Sequence, residues 1–75
     1  MNLNDFISNF SNCFNRTPAT DIKAETEFKK IDEWSSILAL IVIAMVDSDY
    51  QKVLTADDIR NATTVQDIYE LLIKK

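Results

Sequence analysis

The chain contains no histidine and no glycine, and it has a single cysteine and a single proline. Without histidine, a Ser-His-Asp or Cys-His catalytic arrangement is impossible, and a zinc site of the usual His/Cys kind is excluded. Without glycine, there is no Gly-rich loop of the kind that holds phosphate groups. We therefore expect that this chain is not an enzyme.

Cysteine usage and hydropathy together indicate a compartment. Cys13 is the only cysteine, and an unpaired cysteine fits a reducing cytosol better than a secreted protein. Residues 1–14 lack the basic start and the continuous apolar stretch of a signal peptide. The apolar run Ile37–Val46 has ten residues, whereas a membrane-spanning helix needs about 20. We expect a cytoplasmic protein without membrane insertion.

Negative charge is in modest excess, with 12 acidic and 8 basic residues and a net charge of −4. Nucleic acid is an unfavourable partner for such a chain, because its phosphates require a basic face. Mild acidity suits basic protein partners, whose attraction should weaken with salt. Charge alone does not separate this interpretation from a simple contribution to solubility.

The 75 residues predict one domain, covering positions 1–75, with four helices. The first is expected at 3–15, capped by Asn2, with Cys13 on its apolar stripe as a buried small hydrophobe. A long loop over 16–33 follows, pinned to the core by Ile22, Phe28 and Ile31, and a short helical turn is possible within it.

The second helix is predicted from Ser36 to about Tyr50, with Ser35 and Ser36 as capping residues. This helix is apolar on every side, so its buried face has to be inferred by stepping back from Tyr50. The expected core face is Ala39, Val42, Ile43, Val46 and Tyr50. The opposite side then holds Leu38, Ile41 and Met45. Either these three residues form an exposed interaction surface or the 16–33 loop folds over them.

Two capping patterns predict the remaining helices. Thr55 and Asp58 resemble a capping box and open a short third helix that ends near Asn61. Thr64 and Asp67 repeat the pattern. They open a fourth helix that ends near Ile73 and has the apolar stripe Val65, Ile68, Tyr69 and Leu72. The sequence therefore predicts an all-α fold, a small four-helix bundle with a long first loop and a short third helix.

Two short motifs, taken with the helices around them, resemble acyl carrier proteins. They are Glu33–Ile37, which reads Glu-Trp-Ser-Ser-Ile, and Ala62–Asp67, which reads Ala-Thr-Thr-Val-Gln-Asp. Each motif is weak alone, but their order and spacing are similar to those of the family over nearly the whole chain, as far as Leu72. The resemblance implies a four-helix bundle of acyl-carrier type.

The resemblance also implies a function and a cofactor. A phosphopantetheinyl transferase would move a phosphopantetheine arm from coenzyme A onto Ser36, and the arm would carry acyl groups as thioesters. The partners would be acyl-transferring and chain-extending enzymes of fatty-acid or polyketide-type biosynthesis, and the carrier is expected to be monomeric. Carriage of aminoacyl or peptidyl groups is a less favoured option on the same fold.

Two positions depart from the family pattern. The family usually has aspartate directly before the modified serine, where this chain has Ser35, so Ser35 is the second choice for attachment. The family also usually scatters acidic residues along the second helix, whereas this helix is apolar until Asp47. We therefore expect a partner interface that is more apolar and less sensitive to salt. Its predicted residues are Ile37, Leu38, Ile41, Met45, Asp57 and Asp58.

Two further hypotheses remain open at this point. An attached acyl chain would lie in a cleft between the helices, and the candidate lining is Val42, Val46, Ile59, Ala62 and Leu72. Alternatively, the chain is a carrier-like interaction module that is never modified and that grips its partner with Leu38, Ile41 and Met45. The absence of the usual aspartate before Ser36 favours this second class.

Overall fold

Each helix begins at a polar side chain that accepts a hydrogen bond from the backbone of the first turn. The computed structural model describes all residues from 1 to 75, and the caps are Asn2, Ser35, Thr55 and Thr64. Thr55 and Thr64 form complete capping boxes with Asp58 and Asp67. A cap of this kind satisfies an amide that the helix itself leaves unpaired. The predicted helix starts are confirmed.

The architecture is four helices without strands, as the sequence predicts. The helices are α1 (Leu3–Ser11), α2 (Ser36–Tyr50), α3 (Ala56–Asn61) and α4 (Val65–Ile73). Two short 3₁₀ turns, Ala19–Asp21 and Phe28–Lys30, lie in the loop between α1 and α2. No helix combines the length and the apolar character that crossing a membrane requires.

The end of α1 differs from the prediction, because the helix stops at Ser11 and not at residue 15. After Ser11 the chain tightens, and the amides of Cys13 and Phe14 bond to the carbonyls of Phe10 and Ser11, three residues back. Phe14 stays in the core despite lying outside the helix. Cys13 is half-buried and packs against the margin of the core, so its predicted burial is confirmed only in part. Burial, with a smaller contribution from the charge of Asp49, raises the pKa of its thiol.

The long loop is part of the packed structure. Its side chains Ile22 and Phe28 belong to the core, and Ile31 packs partly against it, as predicted. Its backbone also reaches α4, where the amides of Val65 and Gln66 donate to the carbonyls of Thr26 and Ala24 at 3.1 and 3.0 Å. These two bonds satisfy first-turn amides of α4 and hold the loop against the bundle.

The buried face of α2 is rotated relative to the predicted one. Leu38, Val42 and Val46 are buried, so the prediction that Leu38 points outward is wrong. Met45 is only partly exposed, and Ala39, Ile43 and Tyr50 are half-buried at the margin of the core. Because α2 is apolar on every side, the sequence gives no direction for burial, and packing against the other elements decides it.

Candidate functional site

Ser35 and Ser36 lie at the start of α2 and have different environments. The Ser35 hydroxyl accepts a hydrogen bond from the Leu38 amide at 3.2 Å, while the Ser35 backbone is still extended. Ser36 is the first helical residue; its side chain is exposed, and no hydrogen bond in the structure involves its hydroxyl. Ser35 is therefore the cap, whereas the Ser36 hydroxyl takes no part in capping the helix.

The N-terminus of α2 has neither a neutralising carboxylate nor acceptors for its first two backbone amides. Its first turn contains no acidic residue, and the amides of Ser36 and Ile37 donate to no group within the chain. At the start of α4, by contrast, Asp67 occupies the first turn and loop carbonyls accept from the first amides. Unpaired amides and the helix dipole favour a negative group near Ser36.

The segment directly before the serines is fixed by Glu33, a contact that the sequence analysis missed. One carboxylate oxygen accepts from the amide of Asn15 at 2.6 Å, and the other accepts from the amides of Arg16 and Thr17 at 2.9 Å. The Thr17 hydroxyl adds a fourth bond at 2.9 Å. We call this arrangement the Glu33 clamp. Three consecutive amides converging on one carboxylate form an anion-binding concavity of the chain itself.

Hydrogen bonding to the ionised form is what sets the acidity of this carboxyl. The amide of Asn15 makes the largest contribution, and the clamp lowers the pKa of Glu33 from its ordinary value of 4.5 to about 2. Glu33 is therefore ionised at neutral pH and ties the loop after α1 to the segment directly before α2.

Trp34 fixes the same segment from the other side. Its ring meets Phe28 edge-on, with centroids 4.9 Å apart, and is stacked parallel to Phe10 at 6.4 Å. Phe14 lies 6.3 Å away. Such aromatic contacts are directional, so they orient the backbone that leads into Ser35 and Ser36. No signal in the sequence showed which aromatic residues would meet here, because Phe28 belongs to the loop.

An apolar cleft opens beside Ser36, between α2 and α3. It measures about 270 Å³. Its lining is Ser36, Ala39, Leu40, Ile43, Ala56 and Ile59. A second cleft of similar volume continues along α2 toward Val53 and shares Leu40 and Ile43 with the first. Together they form an apolar track that begins at Ser36.

This track is not the cleft that the sequence analysis hypothesised. Ile59 does line it, but Val42, Val46, Ala62 and Leu72 are packed in the core and border no open space. These four side chains lie on the helix faces that pack against one another. Close packing at those faces leaves no open volume between the side chains. In the unmodified chain these four residues therefore line no open cleft, and their rearrangement around an attached acyl chain stays a prediction.

The outward face of α2 is apolar, although its residues are not all those predicted. Ile37 and Ile41 are exposed as expected, with 71% and 41% of their surface accessible. Leu40, which the sequence analysis did not select, is 65% exposed. Leu38 is buried and cannot contact a partner from its present position, and Met45 is half-buried.

The two predicted acidic contact residues lie at the start of α3, directly after Ala56 of the cleft. Asp57 is exposed and pairs with Arg60. Asp58 is engaged within the fold: it accepts from the Thr55 amide and pairs with Lys75 at 3.2 Å. The Thr55 amide and then Lys75 lower the pKa of Asp58. Asp57 is therefore the more available of the two for a partner.

The polar residues form no cluster of histidine, cysteine and carboxylate side chains that could hold a metal ion. A comparison of the chain with models of known protein families, with curated proteins and with solved structures finds no match. A function is therefore inferred from the residues around Ser36 and from the two short motifs Glu33–Ile37 and Ala62–Asp67.

Proposed function

We propose that this chain is an acyl carrier, which holds acyl groups as thioesters on a phosphopantetheine arm attached to Ser36. The observation that carries the proposal is the difference between the two serines. Ser35 is occupied in capping α2, while Ser36 presents a free, exposed hydroxyl one residue later. The role of each residue agrees with the resemblance of Glu33–Ile37 to the attachment motif of acyl carrier proteins.

The charge of the linkage suits this position. A phosphodiester on Ser36 would lie at the positive end of α2, near amides that have no other acceptor and away from any first-turn carboxylate. Such a placement is worth roughly 0.3–1 kcal/mol at an exposed helix end. An aspartate at position 35 would oppose part of this attraction, whereas Ser35 does not.

The apolar track offers a surface for the acyl group. A chain that leaves Ser36 would pass Ala39, Leu40 and Ile43 before reaching the second cleft. Covering apolar surface there is favourable by about 25 cal/mol for each Å² removed from water. The open shape of the track would allow a partner enzyme to withdraw the acyl group without unfolding the bundle.

The partner enzymes would dock on the outward face of α2. Ile37, Leu40 and Ile41 supply an apolar contact, and Asp57 supplies a negative charge at its edge. The chain would perform no chemistry of its own, because separate enzymes would attach the arm and load, extend and remove the acyl group. The same arrangement fits fatty-acid, polyketide-type and, less well, aminoacyl or peptidyl carriage.

The proposal is tested by the intact mass of the purified chain after incubation with coenzyme A and several phosphopantetheinyl transferases. We expect a gain of one phosphopantetheine group with at least one transferase. The gain should be lost in Ser36→Ala and retained in the matched variant Ser35→Ala. Modification of Ser35 in place of Ser36 would move the attachment site to the second-choice residue.

A second candidate function is favoured by the exposed apolar face. A carrier-like module that is never modified would use Ile37, Leu40 and Ile41 to bind its partner and would have no use for the Ser36 hydroxyl. No mass gain with any transferase, together with partner binding that survives Ser36→Ala, would favour this function over the carrier.

A further inference from the structure

Four residues of α2 form one outward stripe that nothing in the chain covers. Ile37, Leu40, Ile41 and Ala44 recur at spacings of three and four, so they share one side of the helix. All four are exposed. We call this set the α2 stripe. Large exposed apolar residues in such a continuous row mark an interaction surface.

We infer that a second copy of this chain covers the α2 stripe, with the two α2 helices packed antiparallel about a two-fold axis. With the axis midway between Leu40 and Ile41, each Leu40 lies opposite the other copy's Ile41. Each Ile37 then lies opposite the other copy's Ala44. The Leu40 and Ile41 side chains form an apolar centre, and at each end a large Ile37 faces a small Ala44, so the stripe is complementary to itself.

The charges on α2 favour the antiparallel direction. The helix carries no charged residue from Ser36 to Val46, and Asp47 follows on the side of the stripe, where it lines a cleft with Leu40 and Ala44. Antiparallel packing brings each Asp47 to the N-terminus of the other α2, which has unpaired amides and no acidic residue. Carboxylates are stabilised at that end of a helix. Parallel packing would instead place the two Asp47 side chains together, which is unfavourable.

Asp49 provides a contrast on the same helix. It lies two positions after Asp47, so it points to a different side of the helix, and its charge acts on Cys13, just beyond the end of α1. Lys52 lines the same cleft as Asp47 and is the only cationic residue in that lining. The proposed contact therefore depends on Asp47 and not on acidity at the end of α2 in general.

The dimer goes beyond carrier function and does not require that function. Because the stripe includes Ile37, next to Ser36, a paired chain would present Ser36 at the edge of the dimer interface. Dimerisation would then compete with any protein that docks on this face of α2. The sequence alone predicts a monomer, and the inference replaces that expectation with a reversible dimer.

The oligomeric state of the unmodified full chain tests the inference, through sedimentation velocity across a concentration series up to about 1 mM. We expect a reversible monomer–dimer equilibrium. Ile41→Glu should weaken it at least about tenfold, because each dimer would bury two unpaired charges. Ile73→Glu is the matched control; Ile73 is also exposed but lies on α4, and the change should leave the equilibrium unaltered.

Two further variants test the antiparallel packing of the α2 helices. Asp47→Asn should weaken the dimer by about threefold or more, whereas Asp49→Asn should not. Amide chemical shifts that depend on concentration should map to Ile37–Asp47. A chain that stays monomeric throughout the series, or a dimer that Ile41→Glu leaves intact, would overturn the inference. Both measurements use unmodified protein, so their failure is distinct from a failure to attach phosphopantetheine.

Discussion

At the scale of single residues, the two serines show how one position separates a structural role from a chemical one. The hydroxyl of Ser35 accepts from the Leu38 amide, whereas Ser36 is exposed and its hydroxyl has no hydrogen-bond partner in the chain. The capping role follows from the extended backbone at Ser35, since only a residue just outside the helix can turn its oxygen back to the first turn.

Alanine substitutions should separate these roles in the free energy of unfolding, measured by urea denaturation. Ser35→Ala should lower it by about 1 kcal/mol, because the Leu38 amide loses its acceptor. Ser36→Ala should change it by less than about 0.5 kcal/mol, because Ser36 is exposed and its hydroxyl makes no hydrogen bond. The reverse order of effects would show that the assignment of the cap is wrong.

Glu33 gives the molecule a predictable response to acid. Its pKa is about 2 in the folded chain, below the ordinary value of 4.5, so the clamp stabilises the fold fully above about pH 4.5. This contribution is lost as the pH falls through the folded value near 2. We expect Glu33→Gln to lower the melting temperature at neutral pH and to reduce the loss of stability between pH 4.5 and 2.

Asp32→Asn is the matched control for this prediction, since Asp32 is the exposed neighbour of Glu33 and takes no part in the clamp. Melting followed by circular dichroism from neutral pH to pH 2 compares the variants. Asp58 and Asp67 also have lowered pKa values, so some acid sensitivity will remain in Glu33→Gln. If Glu33→Gln and wild type have the same pH profile, the clamp does not exist in solution.

At the scale of elements, helix α2 combines a buried face with an exposed apolar face. Leu38 is 4% exposed and Leu40 is 65% exposed, although they lie two positions apart and have the same side chain. Residues two apart on a helix point in widely different directions. The pair therefore reports directly on how α2 is rotated in the bundle.

Substituting each of these leucines by alanine tests that rotation. Leu38→Ala should cost about 2–5 kcal/mol of stability, because it removes packed atoms and leaves a cavity. Leu40→Ala should cost less than about 0.5 kcal/mol, because its side chain is in solvent. Urea denaturation of the two variants measures both, and equal costs would contradict the observed orientation.

The limits of prediction from sequence are also clearest at this scale. The caps Asn2, Ser35, Thr55 and Thr64 were predictable, because each acts on a residue three positions away. The orientation of α2 was not, because a helix that is apolar on every side has no preferred face. Capping residues close in sequence determine where a helix starts, whereas contacts between elements determine which face of the helix is buried.

The candidate site shows the same division. Ser36 was predictable from its motif, whereas the Glu33 clamp joins residues 16 to 18 positions apart and leaves no periodic trace. The sequence analysis expected the acyl cleft between the helices, whereas the open apolar track lies elsewhere, for a related reason. Stripe residues that a sequence marks as apolar, such as Val42 and Leu72, were used to build the core, and the open cleft formed at its margin.

At the scale of the whole molecule, the loop between α1 and α2 is a structural element in its own right. Phe28 is fully buried and contacts Phe10 of α1 and Trp34 before α2. The carbonyls of Ala24 and Thr26 accept from α4. The loop therefore touches most of the bundle, and its folding should be inseparable from that of the helices.

Phe28→Ala should accordingly destabilise the entire domain, by about 3–5 kcal/mol. Unfolding of the wild type followed by Trp34 fluorescence, which reports on the contact of Trp34 with Phe28 of the loop, should coincide with unfolding followed by helical circular dichroism. A fluorescence transition at clearly lower denaturant would mean that the loop detaches before the helices melt.

If Ser36 carries a phosphopantetheine arm, the arm will be visible in the intact mass of the protein purified from its own cells. We expect a species heavier than the bare chain by one phosphopantetheine, with or without an acyl group, and fragmentation that places the addition on Ser36. A population consisting only of the bare chain, in cells that contain active phosphopantetheinyl transferase, would contradict it.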